Sequence, residues 1–242
     1  MNILILGGTA EARDLAERLV AQGHAVTTSL AGRTQSPLLP PGEVRIGGFG
    51  GVAGLAATLR AGAVDWLVDA THPYAGQISL NAVAASRETG VPLLRILRPA
   101  WTPPDGANWT HVETTSEAAA CLPPGARVLL TTGHAGLEQF LAREDCQFIV
   151  RLIETPALAI PPHARLLQSR PPYGLADEIA LMDGERITHL VTKNSGGGQT
   201  AAKLDAAMRL GVKVIMIARP VYGPAIEVDS VDAAVARLSA AG

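Results

Sequence analysis

Two glycines and a threonine follow the first apolar run of the chain, where a nucleotide-binding fold places its phosphate loop. The run at residues 3–6 leads into Gly7, Gly8 and Thr9, and an amphipathic helix pattern begins directly afterwards. Amides at a helix N-terminus can bind a pyrophosphate, and glycines allow it to approach closely. Thr9 and Ala12 replace two glycines of the G-x-G-x-x-G fingerprint. The pattern therefore fits either a cofactor site or a plain strand-to-helix turn.

The end of the second apolar run bears on which cofactor would bind. An NAD-binding fold usually has an acidic residue there, which binds the ribose 2′-hydroxyl. Here the run at residues 25–30 includes Ser29 and is followed by Arg33, with no carboxylate nearby. An arginine suits a 2′-phosphate, so the sequence favours NADPH over NADH. The alternative is that Arg33 is a solvated loop residue.

Two further strand ends carry residues that could contact a ligand. The stretch at residues 47–51 is glycine-rich, and within it we expect Gly48 to allow close backbone approach and Phe49 to offer an aromatic face, although a permissive turn would have the same composition. The fourth strand ends at Asp69 and is followed by a polar group that would lie near a nicotinamide. In that group Thr71 is a candidate cofactor contact, and His72 and Tyr74 are the candidate proton donors.

The second half of the chain places polar and cationic residues after its own apolar runs. Such residues could bind an anionic substrate through charge-assisted hydrogen bonds and backbone amides, although glycine-rich turns on the surface would look alike. The order differs from that of a P-loop. The candidate substrate-binding residues are Thr132, Gly133, Arg151, Lys193, Asn194, Ser195 and Gly196.

The elements that position these residues alternate between apolar strands and amphipathic helices almost throughout. Continuous apolar strands joined by helices predict parallel sheets covered on both faces. A proline-rich stretch around residues 98–104 interrupts the pattern and predicts a domain boundary. We therefore predict an α/β protein of two Rossmann-like doubly wound domains, residues 1–98 for the nucleotide and 99–242 for the substrate, with the active site in the cleft between them. A long proline-rich loop is expected at residues 154–173.

Composition narrows the class of protein. The 242 residues carry a net charge of -2 and 48% hydrophobic residues, so the overall charge favours neither nucleic acid nor an anionic membrane as a partner. The two cysteines, Cys121 and Cys146, have no metal-ligand spacing, and no metal site is expected. No leader or membrane-spanning segment is evident, which predicts a cytoplasmic protein.

Six motifs in this order resemble the precorrin-6A reductase family of cobalamin biosynthesis. They are ILGGTAEAR, GGFGG, DATHPYA, RPAW, TTG and VTKNSGG, and the resemblance runs from residue 3 to about residue 220. It implies two Rossmann-like domains and NADPH-dependent reduction of a macrocycle double bond, which converts precorrin-6A to precorrin-6B. The cobalt-loaded form is the substrate in the anaerobic branch, and the resemblance does not choose between the two.

The implied partner is a tetrapyrrole with many carboxylate arms, bound by a monomer or a weak homodimer. A small dehydrogenase for another substrate is an alternative, but the Tyr-x-x-x-Lys pair typical of such enzymes is missing after Tyr74. A nucleotide-sensing module that binds NADPH without turnover is the other alternative.

Overall fold

The chain folds into two compact units, which the computed structural model describes over residues 1–32 and 38–241. Unit 1 contains residues 1–99 and the residues from Pro220 onward, whereas unit 2 contains residues 100–219. Each unit has one six-stranded sheet in which every pairing is parallel. The predicted α/β fold class is therefore confirmed.

Unit 1 alternates strands and helices in the predicted manner. Its elements are β1 (Asn2–Leu6), α1 (Ala10–Ala21), β2 (Ala25–Leu30), β3 (Glu43–Ile46), α2 (Val52–Ala61), β4 (Trp66–Asp69), α3 (Gly76–Thr89) and β5 (Leu93–Ile96), with β12 (Ile226–Val228) and α8 (Val231–Ser239) from the end of the chain. The strand order is β12-β5-β4-β1-β2-β3.

The buried strand β1 shows why this sheet needs helices on both faces. Successive side chains of a strand point to opposite faces, so Ile3 and Ile5 pack in one core with α1 and α8. Leu4 and Leu6 pack in a second core with α2 and α3. All four side chains are at most 2% exposed. A strand that is buried on both faces has to be apolar throughout, which is the pattern seen in the sequence.

Unit 2 repeats the arrangement. Its elements are β6 (Trp109–Val112), α4 (Thr115–Ala120), β7 (Arg127–Thr131), α5 (Leu137–Leu141), β8 (Gln147–Leu152), β9 (Ala164–Gln168), α6 (Leu175–Gly184), β10 (His189–Lys193), α7 (Ala202–Leu210) and β11 (Lys213–Ile217). The strand order is β6-β11-β10-β7-β8-β9, which matches that of unit 1 position by position.

The sixth strand of each sheet comes from the other half of the chain. β6 follows β5 in sequence but pairs with β11, and β12 follows β11 but pairs with β5. The predicted second domain ran to residue 242, but the structure assigns the residues from Pro220 onward to unit 1, because β12 completes its sheet and α8 packs in its core.

Several elements differ from the sequence-based expectation. The expected loop at residues 154–173 contains the strand β9, which pairs with β8 along its whole length. The strand β6, the helix α4, the helix α6 and the short strand β12 were not predicted. The strands β6, β9 and β12 are at the edges of their sheets, where a strand has one neighbour and less of it needs to be apolar.

Candidate functional site

The predicted nucleotide residues of unit 1 follow neighbouring strands at one edge of the sheet. The chain runs outward from β1 to β2 and β3, and then returns to β4 on the other side of β1. The topological switch point is therefore between β1 and β4, and ligands of open α/β sheets bind just beyond the strand ends at this point. The stretches that follow these two strands are residues 7–9 and 70–74.

Gly7 and Gly8 are needed for different reasons. The Gly7 amide donates to the Ser29 carbonyl oxygen at 2.9 Å. A Cβ added at Gly7 would lie 2.8 Å from the Cγ2 of Thr28, so only glycine fits this close approach to β2. Gly8 has a φ of +109°, and a Cβ built on it would meet nothing within 4 Å. The backbone at Gly8 therefore borders open space beside the N-terminus of α1, as a phosphate cradle requires.

Thr9 ties the two sides of the switch point together. Its hydroxyl donates to the Ala70 carbonyl oxygen at 2.7 Å and accepts from the Ala12 amide at 3.1 Å, which caps α1. A hydroxyl has only one proton to donate, so that proton is committed to Ala70. Thr9, which the sequence placed in a possible cofactor site, thus uses its side chain to shape the loop.

Asp69 organises the stretch that follows β4. One carboxylate oxygen accepts from the Thr71 amide at 3.2 Å and from the Thr71 hydroxyl at 2.6 Å. The other accepts from the Arg95 Nε at 3.3 Å, and both side chains of this ion pair are at most 5% exposed. Arg95 also donates through Nη1 to Glu227 at 3.0 Å and to the Gly223 carbonyl oxygen at 3.2 Å. The returning C-terminal segment therefore helps to fix this loop.

His72 and Tyr74 lie side by side on that loop. Their ring centroids are 5.8 Å apart, and the Tyr74 amide donates to the His72 Nδ1 at 3.2 Å. A neutral His72 ring that accepts at Nδ1 carries its proton on Nε2. Between them, Pro73 is buried, and its carbonyl oxygen accepts from the hydroxyl of Tyr222 at 2.9 Å. Sequence reasoning overlooked Tyr222, which lies far away in the sequence.

An ion pair borders a small cavity at the switch point. Thr9, Ala70 and Thr71 are among the residues that line the cavity, and the Arg98 Nη1 lies 2.7 Å from the Glu11 Oε1 at its side. Burial opposes ionisation of Glu11, but the hydrogen bond and the charge of Arg98, together with bonds from the helix N-terminus, lower its pKa overall. Glu11 thus stays ionised, and Arg98 compensates its charge.

The ends of β2 and β3 place Ser29 beside an arginine that sequence reasoning missed. Ser29 and Arg45 are register partners, and the Arg45 Nη1 donates to the Ser29 hydroxyl at 2.9 Å. The guanidinium lies over the Phe49 ring, 3.8 Å from its centroid, and Nη2 donates to the Gly48 carbonyl oxygen at 3.1 Å. The predicted residue Arg33 lies outside the described residues. The signal for Arg45 was a cation in a short strand next to a glycine-rich loop.

In unit 2 the structure brings most of the predicted substrate residues to one edge. Thr132 and Gly133 follow β7, Lys193 ends the neighbouring strand β10, and Ser195 and Gly196 come just after it. Thr132 is 2% exposed, and its hydroxyl has no hydrogen-bond partner among the described residues. Burial lowers the pKa of the Lys193 ammonium.

Asn194 binds Trp101, a residue of the proline-rich stretch at residues 98–104. Its side-chain oxygen accepts from the Trp101 amide at 2.8 Å, and its side-chain nitrogen donates to the Trp101 carbonyl oxygen at 3.0 Å. The Trp101 indole donates to the Gly197 carbonyl oxygen at 3.1 Å and lies against the ammonium of Lys203, 4.5 Å from the ring centroid. The side chain of Asn194, which we predicted to bind substrate, thus fixes the loop that follows β10.

Arg151 is engaged inside unit 2. Its Nη2 lies 2.8 Å from the Glu178 Oε2 in an ion pair whose side chains are at most 5% exposed. Its guanidinium also lies over the Tyr173 ring, 4.3 Å from the centroid. Hydrogen bonding to Glu178 and its charge raise the pKa of Arg151, although burial, the largest single effect, opposes this. Its charge is therefore compensated within the protein.

Within residues 1–32 and 38–241, no group of three or more His, Cys, Asp or Glu side chains is arranged to hold a metal ion. None of the helices described there is long and apolar enough to cross a membrane.

Comparison with known proteins identifies the family. The model of the family described as precorrin-6x reductase CbiJ/CobK matches residues 2–239. The chain belongs to the precorrin-6x reductase family. The predicted resemblance is thereby confirmed, and with it the assignment to a family of oxidoreductases.

Individual members of the precorrin-6x reductase family match nearly the whole chain. A precorrin-6A reductase of Rhodococcus erythropolis is 52% identical over 97% of this chain and 96% of its own length. One from Mycobacterium tuberculosis (strain CDC 1551 / Oshkosh) is 47% identical over 95% and 94%. A solved structure described as CobK precorrin-6A reductase superposes with a TM-score of 0.94 at 42% identity, covering 100% of this chain and 98% of that one.

Proposed function

We propose that this protein uses NADPH to reduce a double bond of the precorrin-6A macrocycle, giving precorrin-6B. The observation that carries the proposal is the switch point of unit 1 in a member of this family. There the Thr9–Ala70 hydrogen bond and the open space at Gly8 form a site suited to a dinucleotide.

The residues of unit 1 fit a nucleotide. Gly7 and Gly8 would carry the pyrophosphate at the N-terminus of α1, where the backbone borders open space. Ser29 and Arg33 belong to the stretch that we assign to the adenosine ribose, and Thr71 borders the cavity beyond β4. When bound, NADPH supplies the hydride. The protein positions the reactants and excludes water, which is the larger part of catalysis in such transfers.

The residues of unit 2 fit a polycarboxylate. Lys193 provides a cation that burial has partly desolvated, which strengthens its attraction to a carboxylate. The buried Thr132 hydroxyl is without a partner among the described residues and so retains a hydrogen bond to make. Gly133 and Gly196 both have positive φ, which turns the backbone amides of these loops as an anion nest requires. We therefore assign the carboxylate arms of the tetrapyrrole to these loops.

The proton that accompanies the hydride needs a donor. We propose His72 and Tyr74, because they lie on the loop beyond β4 and can both carry a transferable proton. Because the Tyr74 amide donates to Nδ1, a neutral His72 ring would carry on Nε2 the proton that it transfers.

We propose the metal-free macrocycle as substrate. The relatives at 42–52% identity are named precorrin-6A reductases. Those named cobalt-precorrin-6A reductases are 32–33% identical.

Steady-state turnover tests the proposal. Purified protein is mixed with NADPH and precorrin-6A, and the loss of NADPH absorbance is recorded together with the spectrum of the macrocycle. We expect one molecule of precorrin-6A to be consumed for each NADPH oxidised, with slower turnover of the cobalt form. If NADPH binds but neither spectrum changes, the reductase assignment is wrong and the sensor alternative gains support.

A further inference from the structure

Arg45 occupies the part of unit 1 where the adenosine ribose of a dinucleotide binds. It lies on β3 opposite Ser29 of β2, near the carboxyl ends of both strands. In open α/β sheets the end of β2 carries the residue that distinguishes a ribose 2′-hydroxyl from a 2′-phosphate. No acidic side chain follows β2 here before Glu43.

The hydrogen bonds of Arg45 leave part of its donor capacity unused. A guanidinium has five N–H donors. Nη1 donates to the Ser29 hydroxyl and the Gly47 carbonyl oxygen, and Nη2 donates to the Gly48 carbonyl oxygen. The second Nη2 proton and the Nε proton have no acceptor among the described residues.

The charge of Arg45 has no carboxylate partner within residues 1–32 and 38–241. Its described partners are a hydroxyl, two carbonyl oxygens and the face of the Phe49 ring at 3.8 Å. Residues 33–37 have the sequence RTQSP and contain no acidic side chain. By contrast, Arg95, Arg98 and Arg151 are each paired with a carboxylate.

These contacts hold the guanidinium in one orientation before any ligand binds. Stacking on Phe49 and the bonds to Ser29 and the glycine loop restrict its rotation. Less conformational entropy is then lost when a ligand binds. A planar guanidinium with spare donors and an uncompensated charge matches a phosphate monoester.

We propose that Arg45, fixed by Ser29 and Phe49, binds the 2′-phosphate of the adenosine ribose and gives this protein its preference for NADPH over NADH. The inference rests on the proposed function, since it names the residue that selects the cofactor of the same site. It adds a second cation to Arg33, which the sequence had suggested for this role.

The competing explanation is that Arg45 only builds the glycine-rich loop. The two roles differ in what they do to ligands without a 2′-phosphate. A loop-building role would affect every adenine nucleotide alike, whereas a phosphate-binding role affects only those with the 2′-phosphate.

Calorimetric titration with adenosine 2′,5′-bisphosphate and with 5′-AMP separates the two roles, because neither ligand needs the tetrapyrrole. For Arg45→Gln we expect affinity for the bisphosphate to fall by about tenfold or more, the usual effect of losing a charge-assisted hydrogen bond. Affinity for 5′-AMP should change by less than about twofold. The ratio of Kd values for NADH and NADPH should fall in parallel.

Arg60→Gln is the matched control. It removes the same charge from unit 1, but Arg60 lies on α2 in an exposed pair with Glu88. Its affinities for both ligands should match those of the unaltered protein. Equal loss of bisphosphate and 5′-AMP affinity in Arg45→Gln would overturn the proposal, as would an unchanged preference for the 2′-phosphate.

A second variant covers the case in which Arg45→Gln does not fold. Arg45→Lys keeps the charge but not the planar fork, so its preference for the bisphosphate over 5′-AMP should fall, by less than in the Gln variant. An unchanged preference would again overturn the proposal. If Arg45 selects the bisphosphate but precorrin-6A is not reduced, only the proposed function fails. If precorrin-6A is reduced while the variants keep the NADPH preference, only the assignment of Arg45 fails.

Discussion

The hydroxyl of Thr9 donates to the carbonyl oxygen of Ala70 across 2.7 Å, joining the loops that follow β1 and β4. A glycine at position 9, as in the usual fingerprint, could not make this bond. The irregular fingerprint thus acquires a physical explanation: the side chain that replaces the second glycine fixes the two sides of the switch point relative to each other. It also caps α1, whose N-terminus we assign to the pyrophosphate.

Thr9→Ala should weaken both the fold and nucleotide binding. Loss of the helix cap costs about 1 kcal/mol in free energy of unfolding, and loss of the bond to Ala70 about 1 kcal/mol more. Urea unfolding measures the loss of stability, and NADPH titration measures the loss of nucleotide affinity. Ser230→Ala is the control, because Ser230 caps α8 in the same unit by the same type of bond. It should lower stability and leave NADPH affinity unchanged; equal NADPH affinity in both variants would contradict the role of Thr9.

Asp69→Asn should reduce turnover more than it reduces NADPH affinity. The change weakens the acceptor that holds Thr71 and removes the buried carboxylate partner of Arg95, which leaves only the half-exposed Glu227. Removing one partner of a buried pair costs about 3 kcal/mol in free energy of unfolding. The loop that carries His72 and Tyr74 would then be less well positioned, which lowers kcat.

The control for this prediction is Asp65→Asn. Asp65 accepts the Asn2 amide at the opposite end of β4, where its carboxylate holds no part of the 70–74 loop. We expect kcat of this variant to stay near that of the unaltered protein. A normal kcat in Asp69→Asn, measured on the folded variant, would show that the carboxylate does not position the loop.

Lys193→Ala should raise the KM for precorrin-6A and leave NADPH affinity nearly intact. The direction in which the KM changes with pH provides a further test. Because burial lowers the pKa of Lys193, its ammonium loses the proton at a lower pH than an ordinary lysine does. The KM of the unaltered protein should therefore rise as the pH increases towards that lowered pKa, and this rise should be absent in Lys193→Ala.

Lys213→Ala provides the comparison. Lys213 is exposed at the amino end of β11, the edge of the sheet opposite to the carboxyl ends. Its removal changes the net charge equally but should leave the KM and its pH profile as they are. A collapse of NADPH affinity in Lys193→Ala would mean that the nucleotide and substrate have been assigned to the wrong units.

The fold class was predictable because the central strands are apolar throughout. Strands such as β1 and β4 are buried on both faces, so their sequence carries a strong signal. The edge strands carry a weak signal, because β9 has no buried residue and the only buried residue of β6 is Val112. The exchange of β6 and β12 was beyond local patterns altogether, since nothing near residues 226–228 indicates that they pair with β5.

The candidate site was predictable where a residue follows its strand directly. Gly8 and Thr9 come within three residues of the end of β1, so their place could be inferred from strand direction alone. Arg45 could not be assigned in this way, because its role depends on the register between β2 and β3 and on the glycine-rich loop, which places Phe49 against its guanidinium. For Arg151 the sequence indicated a cation at a strand end, but its partner Glu178 lies on a helix that was not predicted.

Transfer of deuterium from labelled NADPH is the most direct measurement of the central claim. The protein is incubated with precorrin-6A and NADPH deuterated at both hydrogens of the nicotinamide 4-position, and the tetrapyrrole product is analysed by mass spectrometry. We predict a product that contains a single deuterium, in an amount equal to the NADP⁺ formed. A reduced product without deuterium, or oxidation of NADPH with the macrocycle unchanged, would contradict the account.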